Sequence, residues 1–180
     1  MQDPVINASQ IVESFNKVKI HVSHSALASD RQPEQVSLIA VSKHFSVQHI
    51  VAAINAGCIE FGENRVQEAE NKWLDLKGLY PHIKLHLIGH LQTNKVKRAV
   101  SLFDVIHSLD NENLAKELAK QILNQQKDVQ ILVQVNLGDE PQKRGISPAD
   151  LKEFMQLVTQ QYQLKVSGLM CITPVHADAK

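Results

Sequence analysis

The sequence predicts an α/β protein built on a parallel sheet, and three observations lead there. Six short runs of apolar, β-favouring residues alternate with longer segments whose apolar positions recur at helical spacing. Successive runs begin roughly 20 to 30 residues apart, the length of a strand, a crossover helix and its turns. No segment repeats another, which excludes a solenoid. Two architectures meet these conditions, an open doubly wound sheet and a (β/α) barrel, and both place chemistry at the carboxyl ends of the strands. The first strand–helix junction, SKHFS at 42–46, has no glycine fingerprint, which counts against a dinucleotide-binding sheet.

Asp3 followed by Pro4 is a good helix start, and Val5, Ile6, Val12, Phe15 and Val22 carry a helical period to about Ala28. Asp30 and Pro33 break it, and Leu38 to Lys43 reads as the first strand. Ser46 is placed to cap a second helix bearing Ile50, Val51 and Ile54, which stops at Gly57. Cys58 to Gly62 is the second strand. Val66 to Lys77 is a helix with Ala69, Trp73 and Leu76 on one face, ended by Gly78 and Pro81. Lys84 to Gly89 is the third strand and Thr93 to Val100 a short helix. Asp104 to Ser108 is the fourth strand, and Asp110 precedes a helix with Leu114, Leu118 and Ile122 in line. Val129 to Leu137 is the fifth and most β-rich strand. A polar loop from Gly138 to Ser147 leads to a helix with Pro148 in its first turn, running to about Tyr162. Lys165 to Ile172 is the sixth strand.

A chain of 180 residues with 43% hydrophobic and 21% charged side chains can bury a substantial core. Lysine plus arginine equals aspartate plus glutamate, 19 against 19, so the basic excess of a general nucleic-acid binder is missing. Cys58 and Cys171 lie in apolar segments without a CxxC or metal-like cluster, and both are expected to be reduced core residues. The first residues lack the pattern of a secretion signal, and no apolar run approaches the roughly 20 residues that span a bilayer. A soluble cytoplasmic protein is expected.

LIAVSK, from Leu38 to Lys43, is the stretch with the clearest chemical promise. A buried strand ending in lysine sets an amine at the rim of an apolar core, where desolvation favours the neutral nucleophile. The same spacing also suits an ordinary solvated lysine. Polar residues follow every strand: Glu63, Asn64 and Arg65; His90, Gln92 and Asn94; Ser108 and Asp110; Asn136. Glu63 and Glu140 qualify either as acid/base carboxylates or as ion-pair partners of Arg65 and Lys143. His86 and His90 are four apart, but a zinc site of that spacing needs a helix, and His86 lies in a predicted strand; no metal is expected. Neither a GxSxG elbow nor a P-loop is present.

The wording of the segments adds what their spacing cannot. AVSK at 40–43, FGENRVQE at 61–68, HLIGHLQTNK at 86–95, HSLD at 107–110, VNLGDEPQKRG at 135–145 and GLMCITP at 168–174 together resemble the pyridoxal-phosphate homeostasis protein family. That family is also known as the proline synthetase co-transcribed or alanine-racemase-like N-terminal barrel family. The resemblance implies one domain over residues 1–180, a TIM-like (β/α) barrel of the kind in fold type III pyridoxal-phosphate (PLP) proteins. It implies that Lys43 holds PLP as an internal aldimine, that Asn64 lies near the cofactor ring, that His86 points into the barrel beneath it and that Met170 packs against it. Lys143 matches a lysine of a mobile loop and is expected to help accept or release the cofactor. The family continues past the GLM strand with two further βα units, which this chain lacks, so weak phosphate retention and marginal stability are expected of it alone. The function implied is that of a carrier that buffers or delivers PLP to apo-enzymes, without a second acid/base group and so with no catalytic residue. A weak amino-acid racemase or lyase is the alternative, and an interaction module that binds no cofactor is a third. A monomer is expected, or a dimer if a second copy completes the barrel.

Overall fold

Asn7 and Gln10 exchange hydrogen bonds of 2.9 Å between their side chains and each other's backbone N–H groups, and this capping box opens the first helix. The computed structural model describes residues 7–137 and 144–173, and carries this helix as α1 (Ala8–Ala28). The start predicted at Asp3 and Pro4 falls outside the described residues. The chain divides into two units: one comprises residues up to Glu63 with Glu68–Leu85, the other Asn64–Gln67 with the residues from His86 onward.

In the first unit, β1 (Ala40–Val41) pairs in parallel with β2 (Glu60–Glu63), joined by α2 (Val47–Asn55), and α1 packs on α2. The strand expected over 38–43 shrinks to two paired residues. Ser42 N–H still donates to Gly62 O at 2.9 Å, but Phe45 N–H then donates to Ser42 O at 3.1 Å, so the chain turns through Lys43 and His44. Ser46 stands at the N-cap of α2 without capping it, because its hydroxyl bonds His49 Nδ1 at 2.7 Å instead. Gly57, at φ +90°, ends that helix in a conformation glycine takes at no steric cost. The third helix, α3 (Val66–Leu79), contributes Trp73 and Leu76 to a core with Ile50, Ile54, Cys58, Phe61, Ile83 and Leu85. The rings of Phe61 and Trp73 lie 5.0 Å apart at 54°, a tilted packing favourable beyond simple burial.

In the second unit, β3 (Lys84–Leu87), shared at its start with the first, pairs with β4 (Val105–Leu109). That strand pairs with β5 (Gln130–Val135), which pairs with β6 (Val166–Cys171), every pairing parallel. Parallel neighbours need crossovers, and α4 (Val96–Leu102), α5 (Glu112–Gln125) and α6 (Leu151–Gln156) supply them. All five residues of β4 are buried, as expected of a strand covered on both faces. On β5 the buried residues are Ile131, Val133 and Val135, alternating with more exposed ones. Leu114, Ala115 and Leu118 of α5 are fully buried, which accounts for the helical stripe in the sequence.

The cap of α5 is Asn111, next after Asp110, and its side chain accepts from Leu114 N–H at 2.9 Å. Two local expectations are corrected here. The helix expected from Pro148 starts at Leu151, because Ser147 and Asp150 bond each other, and it ends in a π-helical turn over Leu157–Gln161. Cys58 is buried, but Cys171 is exposed on β6, where Ser167 and Leu169 on the same side are exposed too. Among the described residues no helix is long and apolar enough to cross a membrane.

Candidate functional site

Within the first unit the backbone around Lys43 is held by ionic side chains. The turn from Ser42 to Phe45 has Lys43 and His44 as its central residues, and His44 adopts φ +67°. A positive φ at the third position marks a type II turn, where glycine or asparagine is usual and a histidine costs energy that its surroundings must offset. Lys43 itself is half-buried. Directly beside the turn, Glu63 at the end of β2 is wholly buried, and its Oε1 accepts from Ser42 Oγ at 2.7 Å, Trp73 Nε1 at 3.1 Å and Lys72 Nζ at 2.7 Å. Lys72 Nζ also donates to Ser42 O at 2.9 Å and to Glu68 Oε1 at 3.0 Å, so each of its three N–H groups has an acceptor. Glu68 Oε1 in turn accepts His44 N–H at 2.6 Å.

The cation facing Glu63 is thus Lys72, not the Arg65 that adjacency suggested. Glu68 and Lys72 are four apart on α3, a spacing readable in the sequence as a helical ion pair. What the spacing could not reveal is that the pair reaches back to the two backbone groups flanking Lys43. Burial raises the Glu68 carboxyl, but the His44 N–H and the hydrogen bond and charge of Lys72 outweigh it and hold the group below its ordinary value of 4.5.

The second unit carries Asn64, His86 and Met170. Asn64 is half-buried before the first turn of α3, and Gly89 packs so close to it that a Cβ there would lie 2.8 Å from Asn64 Cα. Asn64, Arg65, Gln67, His90, Gln92 and Lys95 line a cavity of about 290 Å³. His90 is held below its ordinary value of 6.5, first by desolvation and then by the Arg144 charge, with Asp110 opposing. His86 is buried on β3, and its Nδ1 lies 2.9 Å from His107 Nε2 on β4, the two rings edge to face at 5.2 Å. One ring donates and the other accepts, so the pair shares a single N–H along that line. Sequence reasoning met His107 only inside a motif, because a pairing between strands is invisible to spacing along the chain. Met170 is half-buried on β6, in register with Gln134 of β5. Lys143 and Glu140 lie outside the described residues. Among the described residues no three His, Cys, Asp or Glu side chains gather in a way that would hold a metal ion.

Comparison with known proteins places these features in context. The family model described as alanine racemase, N-terminal domain, matches residues 21–180. The pyridoxal phosphate homeostasis protein of Vibrio alginolyticus is 34% identical over 166 residues, 91% of this chain and 71% of the relative. PipY of Synechococcus elongatus PCC7942, solved with PLP bound, is 38% identical, with a TM-score of 0.74 over 87% of this chain and 72% of PipY. Alanine racemase from E. faecalis is 18% identical with a TM-score of 0.62, over 94% of this chain and 43% of the enzyme, a likeness of fold alone.

Proposed function

Because the chain belongs to the alanine racemase N-terminal domain family and, within it, to the pyridoxal phosphate homeostasis proteins, we propose that it binds PLP through Lys43 and stores or delivers it without catalysis of its own. Its fold class is the α/β, TIM-like barrel type of that family, which sets aside the doubly wound alternative. The observation that carries the functional reading is the likeness to PipY with PLP bound, at 38% identity.

The residues present suit such a group. When bound, PLP supplies an aldehyde to which a primary amine adds with loss of water. Lys43 provides that amine on a turn at the carboxyl end of β1, half-withdrawn from solvent, with backbone anchors on either side of it. Asn64, His86 and Met170 keep their proposed roles toward the ring, and Lys143 its proposed role in exchange. We further assign the protein to the cytoplasm, as a monomer acting through residues 1–180 as one domain, with apo PLP-dependent enzymes as recipients.

Titration of the purified protein with PLP tests the reading. A visible absorption band is expected, and after borohydride reduction the added mass should map to the peptide containing Lys43. Lys43→Ala should abolish both. Mass on another lysine, or a band that survives the substitution, overturns the assignment, and loss of optical rotation with L-alanine would favour a racemase instead.

A further inference from the structure

The first unit contains a buried ionic arrangement larger than a two-residue ion pair requires, and its contacts converge on one turn. Lys72 donates to the carbonyl of Ser42, the residue before Lys43, and Glu68 accepts from the N–H of His44, the residue after it. Both side chains project from one face of α3, a turn apart, and are joined to each other at 3.0 Å. The Lys72 side chain is only 10% exposed and is fixed from below by Glu63, which is itself wholly buried and bonded to Ser42 Oγ and the Trp73 indole. The backbone of Lys43 is therefore gripped on both sides by one rigid helix. The grip opposes a local preference, since a non-glycine residue at φ +67° relaxes readily to the right-handed region when nothing holds its N–H. A relaxed His44 would rotate the peptide that follows Lys43 and re-aim its side chain.

We propose that Glu68 and Lys72 are positioning residues for Lys43, with Glu63 as the buried anchor of Lys72, and that this clamp keeps the amine pointed for covalent capture of an aldehyde. The inference rests on the PLP reading above and deepens it by saying what presents the amine. Capture itself is balanced: the Lys43 nitrogen forms a bond to the aldehyde carbon, and the carbonyl oxygen leaves as water with two protons, both drawn from the neutral amine. Neither Glu68 nor Lys72 takes part in that exchange; they act through the turn.

Glu68 is the residue to vary, because its side chain is about a quarter exposed and its loss leaves the Lys72–Glu63 pair in place. Glu68→Ala should raise the PLP concentration for half-maximal Lys43 labelling about tenfold, the size expected for one charge-assisted hydrogen bond. Glu68→Gln retains a carbonyl acceptor for the His44 N–H and should restore most of the labelling, a rescue that a general loss of stability would not produce. Val100→Ala, which loosens the core of the second unit, serves as the control for stability. It should lower the melting temperature with labelling unchanged. Unaltered half-saturation in Glu68→Ala, failure of Glu68→Gln to rescue, or an equal loss in Val100→Ala overturns the clamp while leaving the PLP reading intact. If the wild-type protein shows no Lys43-dependent band, both fall together. Lys72→Met should weaken labelling further, and circular dichroism will show whether that variant is folded; its binding result counts only if it is, the Glu68 series deciding otherwise.

Discussion

The two units bury polarity in opposite ways. In the first, a carboxylate and an ammonium sit together in the interior, Glu63 with no exposure and Lys72 with a tenth, and every N–H of the lysine has an acceptor. In the second, the buried polar side chains among the described residues are the His86–His107 pair and Ser108 on the strands and Gln121 on α5. Removing one member of an ion pair leaves a charge without its counterion, whereas removing one member of a histidine pair takes one hydrogen bond from a dipole, and the penalties differ accordingly. A protein that places its expensive interactions beside one backbone turn has reason to keep that turn still. Among the described residues of the second unit, every acidic or basic residue keeps some exposure, Asp110 with a side chain 6% exposed beside Arg144.

The comparison can be broken by substitution. The largest effect is expected at Lys72→Met, which leaves Glu63 buried without its cation and should cost about 3–5 kcal/mol in urea unfolding. A cost below that of a surface ion pair would show that Glu63 is readily neutralised. Next is His107→Leu, where His86 loses its ring partner at a cost of about 1–3 kcal/mol. If this second loss equals the first, the contrast between the units disappears. Asn111→Ala removes the cap of α5 and should cost about 1 kcal/mol, a scale against which the other two can be read.

The smallest effect is in pH. The Glu68 carboxyl has a depressed value in the folded protein, so its contribution is fully present above its unfolded value and is lost only as pH falls through the lower folded one. Stability attributable to Glu68, measured as the difference between wild type and Glu68→Gln, should therefore hold steady down to about pH 4.5 and decline below it. A decline already complete at that pH would mean that the His44 and Lys72 contacts do not govern the carboxyl.

Much of the fold was legible in the residues. Six strands and the helices between them follow from periodicity, because burial on one helix face or in a parallel sheet imposes its spacing on the sequence directly. The exceptions are local competitions. Asp110 and Asn111 are both good caps, and only the backbone geometry, extended at Asn111, selects between them. Ser147 and Asp150 close a turn around Pro148 before the helix can begin. Cys171 belongs to an apolar run, yet lies on the exposed side of β6, since an apolar segment does not state how many of its faces are covered.

The residues proposed to bind divide in the same manner. Lys43, Asn64, His86 and Met170 could be named from motif wording, and α3 with its Glu68–Lys72 spacing from helical geometry, all of which depend on neighbours along the chain. The closure of Lys72 onto Glu63 and Ser42, the capture of the His44 N–H by Glu68, and the meeting of His86 with His107 span 21 to 30 residues or arise between separate elements. Local sequence sets which backbone conformations are cheap, but which buried donor meets which acceptor is decided when the elements pack. Only then does leaving a polar group unmatched carry its full desolvation cost.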